Sequence, residues 1–139
     1  MIYIDTNVWI YAATAHSKYG PACRSILEGI EKGEIEAVIS TQVLSEVAGV
    51  LYQRYHVRDP TPQLRAILSY PMKIVDVTPE IVLRAAEYAR DYGILPYDGI
   101  HVASALSLLV DEILSADAEL DKVNVIKRID PLSFASKGK

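Results

Sequence analysis

The chain has 139 residues, half of them hydrophobic: enough for one domain with a real core, and too apolar for a disordered segment. Its 14 Lys plus Arg against 18 Asp plus Glu give a formal charge of -4, so no global basic field recruits nucleic acid, and any such binding must rest on a local patch. The single cysteine, Cys23, excludes an internal disulfide and a cysteine-based metal site, and no apolar run approaches the ~18 residues of a membrane span; a soluble, unprocessed, cytoplasmic protein is the expectation.

In chain order, "IYID" reads as the first strand and ends on Asp5, a residue that strands avoid. Thr6 and Asn7 follow at a strand-to-helix turn, where capping is their ordinary role. Helical periodicity fits 19–32, "IEAVIS" (35–40) is a second strand, and helices fit 41–55 and, after the turn "RDPTP", 61–70. "KIVDV" (73–77) is a third strand. "TPEIVLRAAEYARDYG" is the clearest helix: Thr78 can cap it, Pro79 suits its first position and Gly93 can end it. A helix over 98–110, strands at 112–116 and 123–129, and a frayed "SKGK" tail complete the chain. Strands alternating with helices predict a parallel sheet covered on both faces, in one α/β domain over 1–139.

In such sheets ligands bind beyond the carboxyl ends of the strands, where strand order reverses. Asp5 ends the first strand and Asp117 follows the fourth in "ILSAD", so if these strands are neighbours, their carboxylates meet in one crevice. Asp98 begins the helix "DGIHVASALSLL" after Pro96, the normal place of an N-cap. Glu46 lies at the edge of the stripe formed by Val43, Val47, Val50 and Leu51, ordinarily a solvated position. Four carboxylates brought together stay ionised only beside cations, and hard oxygen ligands suit Mg²⁺ or Mn²⁺, ions that activate water and stabilise phosphoryl charge. Thr6 and Asn7 would then orient Asp5 or a metal-bound water. Asp121 follows Asp117 by four residues, so a helical turn would make it an outer acceptor or shared ligand; Glu119 would point elsewhere.

"IDTNVWIY", "VLSEVAGVL", "PYDGIHVASAL" and "ILSADAEL" resemble, in order and approximate spacing, the four acidic motifs of the PIN-domain ribonucleases, and the chain's length is similar to that of the VapC-type toxins of toxin–antitoxin pairs. The resemblance implies a three-layer α/β/α fold with a five-stranded parallel sheet in the order 3-2-1-4-5. It implies Asp5, Glu46, Asp98 and Asp117 as metal-binding catalytic acids and Ser115 as a supporting hydroxyl. It also implies an Mg²⁺- or Mn²⁺-dependent endoribonuclease with an RNA substrate, an antitoxin covering its groove, and a homodimer. Gly99 stands where alanine is common and Leu120 where phenylalanine is common; Gly99 weakens the first turn of its helix.

Two other classes compete. An aspartate-nucleophile phosphatase would use Asp5, but its usual second aspartate two residues on is Asn7 here, and a response-regulator receiver lacks its acidic pair near the first strand. A non-catalytic PIN-like module binding RNA or protein would show an incomplete acid set; this one is complete. His101, one turn after Asp98, is read as a buried, hydrogen-bonded residue and not as a catalyst. His16 and His56 read as surface residues, and Asp76 belongs to the Thr78 turn. Trp9 and Tyr11 near the crevice could stack on a base, although packing is their ordinary role. Arg54, Arg58, Lys18 and Lys122 flank the acidic motifs as candidates for phosphate contacts.

Overall fold

A computed structural model describes residues 1–137. Its strands are β1 (Ile2–Ile4), β2 (Ala37–Ser40), β3 (Met72–Val75), β4 (Glu112–Leu114) and β5 (Lys127–Ile129). The helices are α1 (Thr6–Ala13), α2 (Gly20–Glu31), α3 (Thr41–Tyr55), α4 (Thr61–Leu68), α5 (Pro79–Tyr92), α6 (Pro96–Ser107) and α7 (Pro131–Lys137). All strand pairings are parallel, in the order β3-β2-β1-β4-β5. This is the expected topology. The chain steps outward from β1 to β3 and then returns across to β4, so right-handed crossovers put α1–α4 on one face and α5–α6 on the other.

Burial explains why the central strands read as near-continuous apolar runs. Every residue of β1 and β2 is buried, as are Ile113 and Leu114 of β4, because helices cover both faces. The edge strand β3 is half-exposed. The main core joins these strands to Val8, Cys23, Ile26, Ile30, Val43 and Val47 of the helices, and a smaller one fastens α5 to α6 through Ile81, Ala85, Ile100 and Ala103. No helix among the described residues is long and apolar enough to cross a membrane.

The punctuation of α5 is as expected: Thr78 Oγ1 accepts from the Ile81 N–H at 3.3 Å, Pro79 opens the helix, and Gly93 closes it at φ +69° with its N–H on the Ala89 carbonyl. Strand and helix ends shift by up to three residues from the sequence reading, and three differences of more consequence fall in the C-terminal half. The segment 118–122 is a 3₁₀ turn, and β5 is confined to 127–129, because Val123 and Ile126 reach the core from a turn, not from a paired strand. The helix expected from 98 begins at Pro96, with Leu95 in the capping place. The expected frayed tail begins inside α7, where Asp130 Oδ1 accepts from the Leu132 N–H at 2.8 Å ahead of Pro131; Gly138 and Lys139 lie outside the described residues.

Candidate functional site

β1 and β4 are adjacent, and the reversal of strand order falls between them. Asp5 leaves β1 with its N–H on the Leu114 carbonyl (3.0 Å), extending the ladder by one bond, and it is buried. Its Oδ1 accepts from the Thr6 N–H at 2.7 Å, so the strand-ending aspartate caps α1. Oδ2 accepts from Ser115 Oγ at 2.6 Å and from Asn7 Nδ2 at 3.3 Å. Asn7 also donates to Ser115 Oγ (3.1 Å) and accepts from the Ala116 N–H (3.1 Å), while Ser115 Oγ accepts from the Asp117 N–H (3.0 Å). Asn7 and Ser115 thus fasten the ends of two strands together and fix where Asp117 emerges. Asp117 in turn accepts from the Glu119 N–H at 3.0 Å.

Thr6 serves a different acid from the expected one. Its hydroxyl donates to Glu46 Oε1 at 2.7 Å, and His101 Nε2 meets the same oxygen at 2.5 Å. His101 Nδ1 is 2.7 Å from the Tyr3 hydroxyl, itself 2.8 Å from Ser40 Oγ. Tyr3, Ser40 and His101 are all buried. With a neutral imidazole the donors run Ser40 to Tyr3 to His101 to Glu46, and with a protonated one His101 donates from both nitrogens while Tyr3 donates to Ser40, so in either state each group in the line has a partner. Burial alone would push the His101 imidazole pKa down, but the charges of Asp5, Glu46 and Asp98 hold it above its ordinary value. Burial likewise pushes the Glu46 carboxyl up, and the bonds from His101 and Thr6 outweigh it and hold the pKa low. His101 is therefore buried and hydrogen-bonded, as its sequence reading has it, and through the Glu46 bond it is a positioning residue for that acid. Tyr3→Phe should leave His101 Nδ1 and Ser40 short of a partner, costing about 1–3 kcal/mol; a thermal melt reads the loss, and Ser40→Ala in the same background should recover part of it.

Asp98 lies in the first turn of α6 but makes no capping bond, so the capping role open to it from sequence is corrected: Leu95 holds that place, and the carboxyl is free for the cleft. Burial, then the charges of Asp117 and Asp5, push its pKa up to about 6. A carboxyl bound more tightly to its proton in the folded state lowers stability as pH rises from its unfolded value near ~3.9 to its folded one, and the full cost is present above that window. Asp98→Asn should therefore raise the melting temperature of the metal-free protein at pH 8, with the gain vanishing by about pH 4. An unchanged gain across that range would show that the cost of the ionised carboxyl is not the cause.

Asp5, Glu46, Asp98 and Asp117 line one cleft of about 550 Å³, with Thr6, Asn7, Gln42, Arg54 and Tyr97. Ligand atoms of Asp5, Glu46 and His101 lie within 4.8 Å of one another, close enough for one cation. Both ring nitrogens of His101 are engaged in the chain, so the hard oxygens offered are carboxylates, the donor set that suits Mg²⁺ or Mn²⁺.

Several sequence expectations are corrected. Asp121 does not stand behind Asp117: it is exposed, and Arg128 grips it with Nε on Oδ1 (2.8 Å) and Nη2 on Oδ2 (3.1 Å), because a 3₁₀ turn does not bring i and i+4 onto one face. The Arg128 bond holds the Asp121 carboxyl below its usual range. Arg128 was missed; its Nη1 also donates to the Ser115 carbonyl at 3.0 Å and steadies the end of β4. Trp9 keeps the packing role that was ordinary for it: it lies edge-on against Tyr70 and lines a separate, mostly apolar pocket beside α2 and α4. Tyr11 borders the acidic cleft, but its ring lies against His16 and Tyr19. Of the four candidate cations, Arg54 alone lines that cleft: Lys18 sits over Tyr19, Lys122 pairs with Glu119, and Arg58 is elsewhere on the surface.

Fold and site together define a doubly wound α/β protein with an acidic crevice at its topological switch point. Residues 2–126 match the model of the PIN domain, and the chain belongs to the PIN-domain family. No curated protein matches it. Among solved structures it is similar in fold to the sarcin–ricin-loop-cleaving toxin VapC20 of Mycobacterium tuberculosis (TM-score 0.74, 16% identity, 89% of this chain and 95% of that one). It is also similar to a chain of a toxin–antitoxin complex from Klebsiella pneumoniae (0.69, 20%, 94% and 98%) and to one of VapBC2 from Rickettsia felis bound to a promoter DNA fragment (0.69, 18%, 93% and 98%).

Proposed function

We propose that this protein is a divalent-cation-dependent endoribonuclease and the toxin of a toxin–antitoxin pair. The observation that carries the reading is the convergence of Asp5, Glu46, Asp98 and Asp117 on one cleft at the switch point, where Asp98 is pushed up to about 6 partly by its neighbours' charge. That repulsion is what a cation relieves. The four acids would hold Mg²⁺ or Mn²⁺, which supplies an activated water and stabilisation of charge on the scissile phosphate. The chain's own residues keep the acids in place: Thr6 and His101 fix Glu46, and Ser115 and Asn7 fix Asp5.

The complexes named above support an antitoxin as the partner, and the homodimer and cytoplasmic location belong to the same reading. A small reading frame beside this gene, encoding a DNA-binding fold, would support the pairing.

Chelation is the direct test. Cleavage of single-stranded RNA should stop in excess EDTA and return with Mg²⁺ or Mn²⁺ but little with Ca²⁺, whose longer and looser coordination positions groups poorly. Cleavage persisting in EDTA, with an Asp117→Asn preparation run in parallel to expose contaminating nuclease, overturns the metal mechanism. Hydroxylamine-sensitive phosphate on Asp5 would instead make it a nucleophile.

A further inference from the structure

The cleft extends well past its acids. Glu46, Gly49, Val50, Gln53 and Arg54 all line it from α3, the spacing of one helix face. At 1.5 Å per residue, Arg54 lies about 12 Å along the axis from Glu46. Between them Gly49 leaves the floor open: a Cβ there would meet nothing within 4 Å, so packing does not demand glycine, a poor helix former. Arg54 is exposed, is the one cation lining the cleft, and has no salt-bridge partner among the described residues. On α6, Tyr97 lines the cleft beside Asp98 with 63% of its surface exposed. Unlike that of Tyr11, its ring meets no other aromatic among the described residues.

An unpaired cation, an open floor and a free aromatic face are the parts a single strand uses: a charge for a phosphate, room for the backbone, and a surface for an unstacked base. With a phosphate every ~3.4 Å of a stacked strand, Arg54 falls about two to four nucleotides from the acids. We propose that single-stranded RNA lies along the α3 face of the cleft, with Arg54 holding a backbone phosphate a few nucleotides from the acids and Tyr97 stacking a base beside Asp98. This rests on the ribonuclease reading and names the substrate's path through that site.

The test is fluorescence anisotropy of a labelled twelve-nucleotide single-stranded RNA with the full chain in Ca²⁺, alongside cleavage of the same RNA in Mg²⁺. Arg54→Ala should weaken binding about three- to tenfold and flatten the log–log salt slope by about 0.7. Tyr97→Ala should weaken it by at least about fivefold, whereas Tyr97→Phe, which keeps the ring, should not. Gly49→Leu should weaken binding by filling the floor while its melting temperature holds or rises, since leucine is the better helix former. Wild-type protein that cleaves the RNA, with binding insensitive to Arg54→Ala and Gly49→Leu, overturns the path and leaves the ribonuclease reading standing. Wild-type protein that neither binds nor cleaves it overturns both.

Discussion

Asp117→Asn is expected to reduce RNA cleavage by at least about a hundredfold while leaving the fold intact or more stable. Groups behind a metal's ligands are worth ~10–100-fold, and a group that itself holds the ion is worth more. Asp117 comes off the end of β4 with its N–H on Ser115 Oγ, and that hydroxyl also binds Asp5. The side chain is thus delivered to the cleft by the same hydrogen bonds that place the first acid. Its charge is among those that push Asp98 up, so asparagine relieves repulsion in the metal-free protein and should not lower its melting temperature. The neighbouring acids calibrate the result. Asp121 is held by Arg128 at the surface, so Asp121→Asn reaches the site only through the Arg128 bond to the Ser115 carbonyl and should cost a few-fold at most. Glu119 pairs with Lys122 in solvent, and Glu119→Gln should be silent. Cleavage rates against metal concentration and thermal melts of the three variants decide the matter; near-normal cleavage by Asp117→Asn would show that the fourth acid has been misassigned.

What could be read from the sequence follows from the range of the interactions involved. Strand runs, the Thr78–Pro79 start and the Gly93 stop of α5 are written in neighbouring residues, so pattern and turn chemistry find them. Asp5 and Asp117 were legible because strand ends in an open parallel sheet mark the ligand crevice whatever the packing. Partners brought together only by tertiary contact were not. The Tyr3–His101 bond joins residues 98 apart in sequence, and the Arg128 grip on Asp121 depends on a 3₁₀ turn that reads from its acidic spacing like an α-helix. For Trp9 the sequence left base stacking open beside its ordinary packing role, and only a tertiary contact with Tyr70, far along the chain, decides for packing.

Gly99→Ala should destabilise the protein, although helix propensity argues the reverse. Alanine is better than glycine in a helix interior by about 0.8–1.0 kcal/mol, and Gly99 reads from sequence as a weakness in α6. A Cβ at this position, however, would stand 2.4 Å from the Ala85 carbonyl oxygen and 3.0 Å from its carbon. The obstacle is α5 backbone, which no rotamer change removes, so the two helices must separate. Overpacking of that kind costs about 1–3 kcal/mol, which exceeds or cancels the propensity gain and opens the small core of Ile81, Ala85, Ile100 and Ala103. The effect should also reach the chemistry, because Gly99 follows Asp98 directly and the same shift carries that carboxyl away from Asp5 and Asp117. We expect Gly99→Ala to melt up to about 5 °C lower and to need more Mg²⁺ for half-maximal cleavage. Ala85→Gly in the same chain should not rescue it, since the clash is with the carbonyl and not the methyl group. A melting temperature raised by Gly99→Ala would mean that α5 and α6 yield at this point and that propensity, not close approach, governs the position.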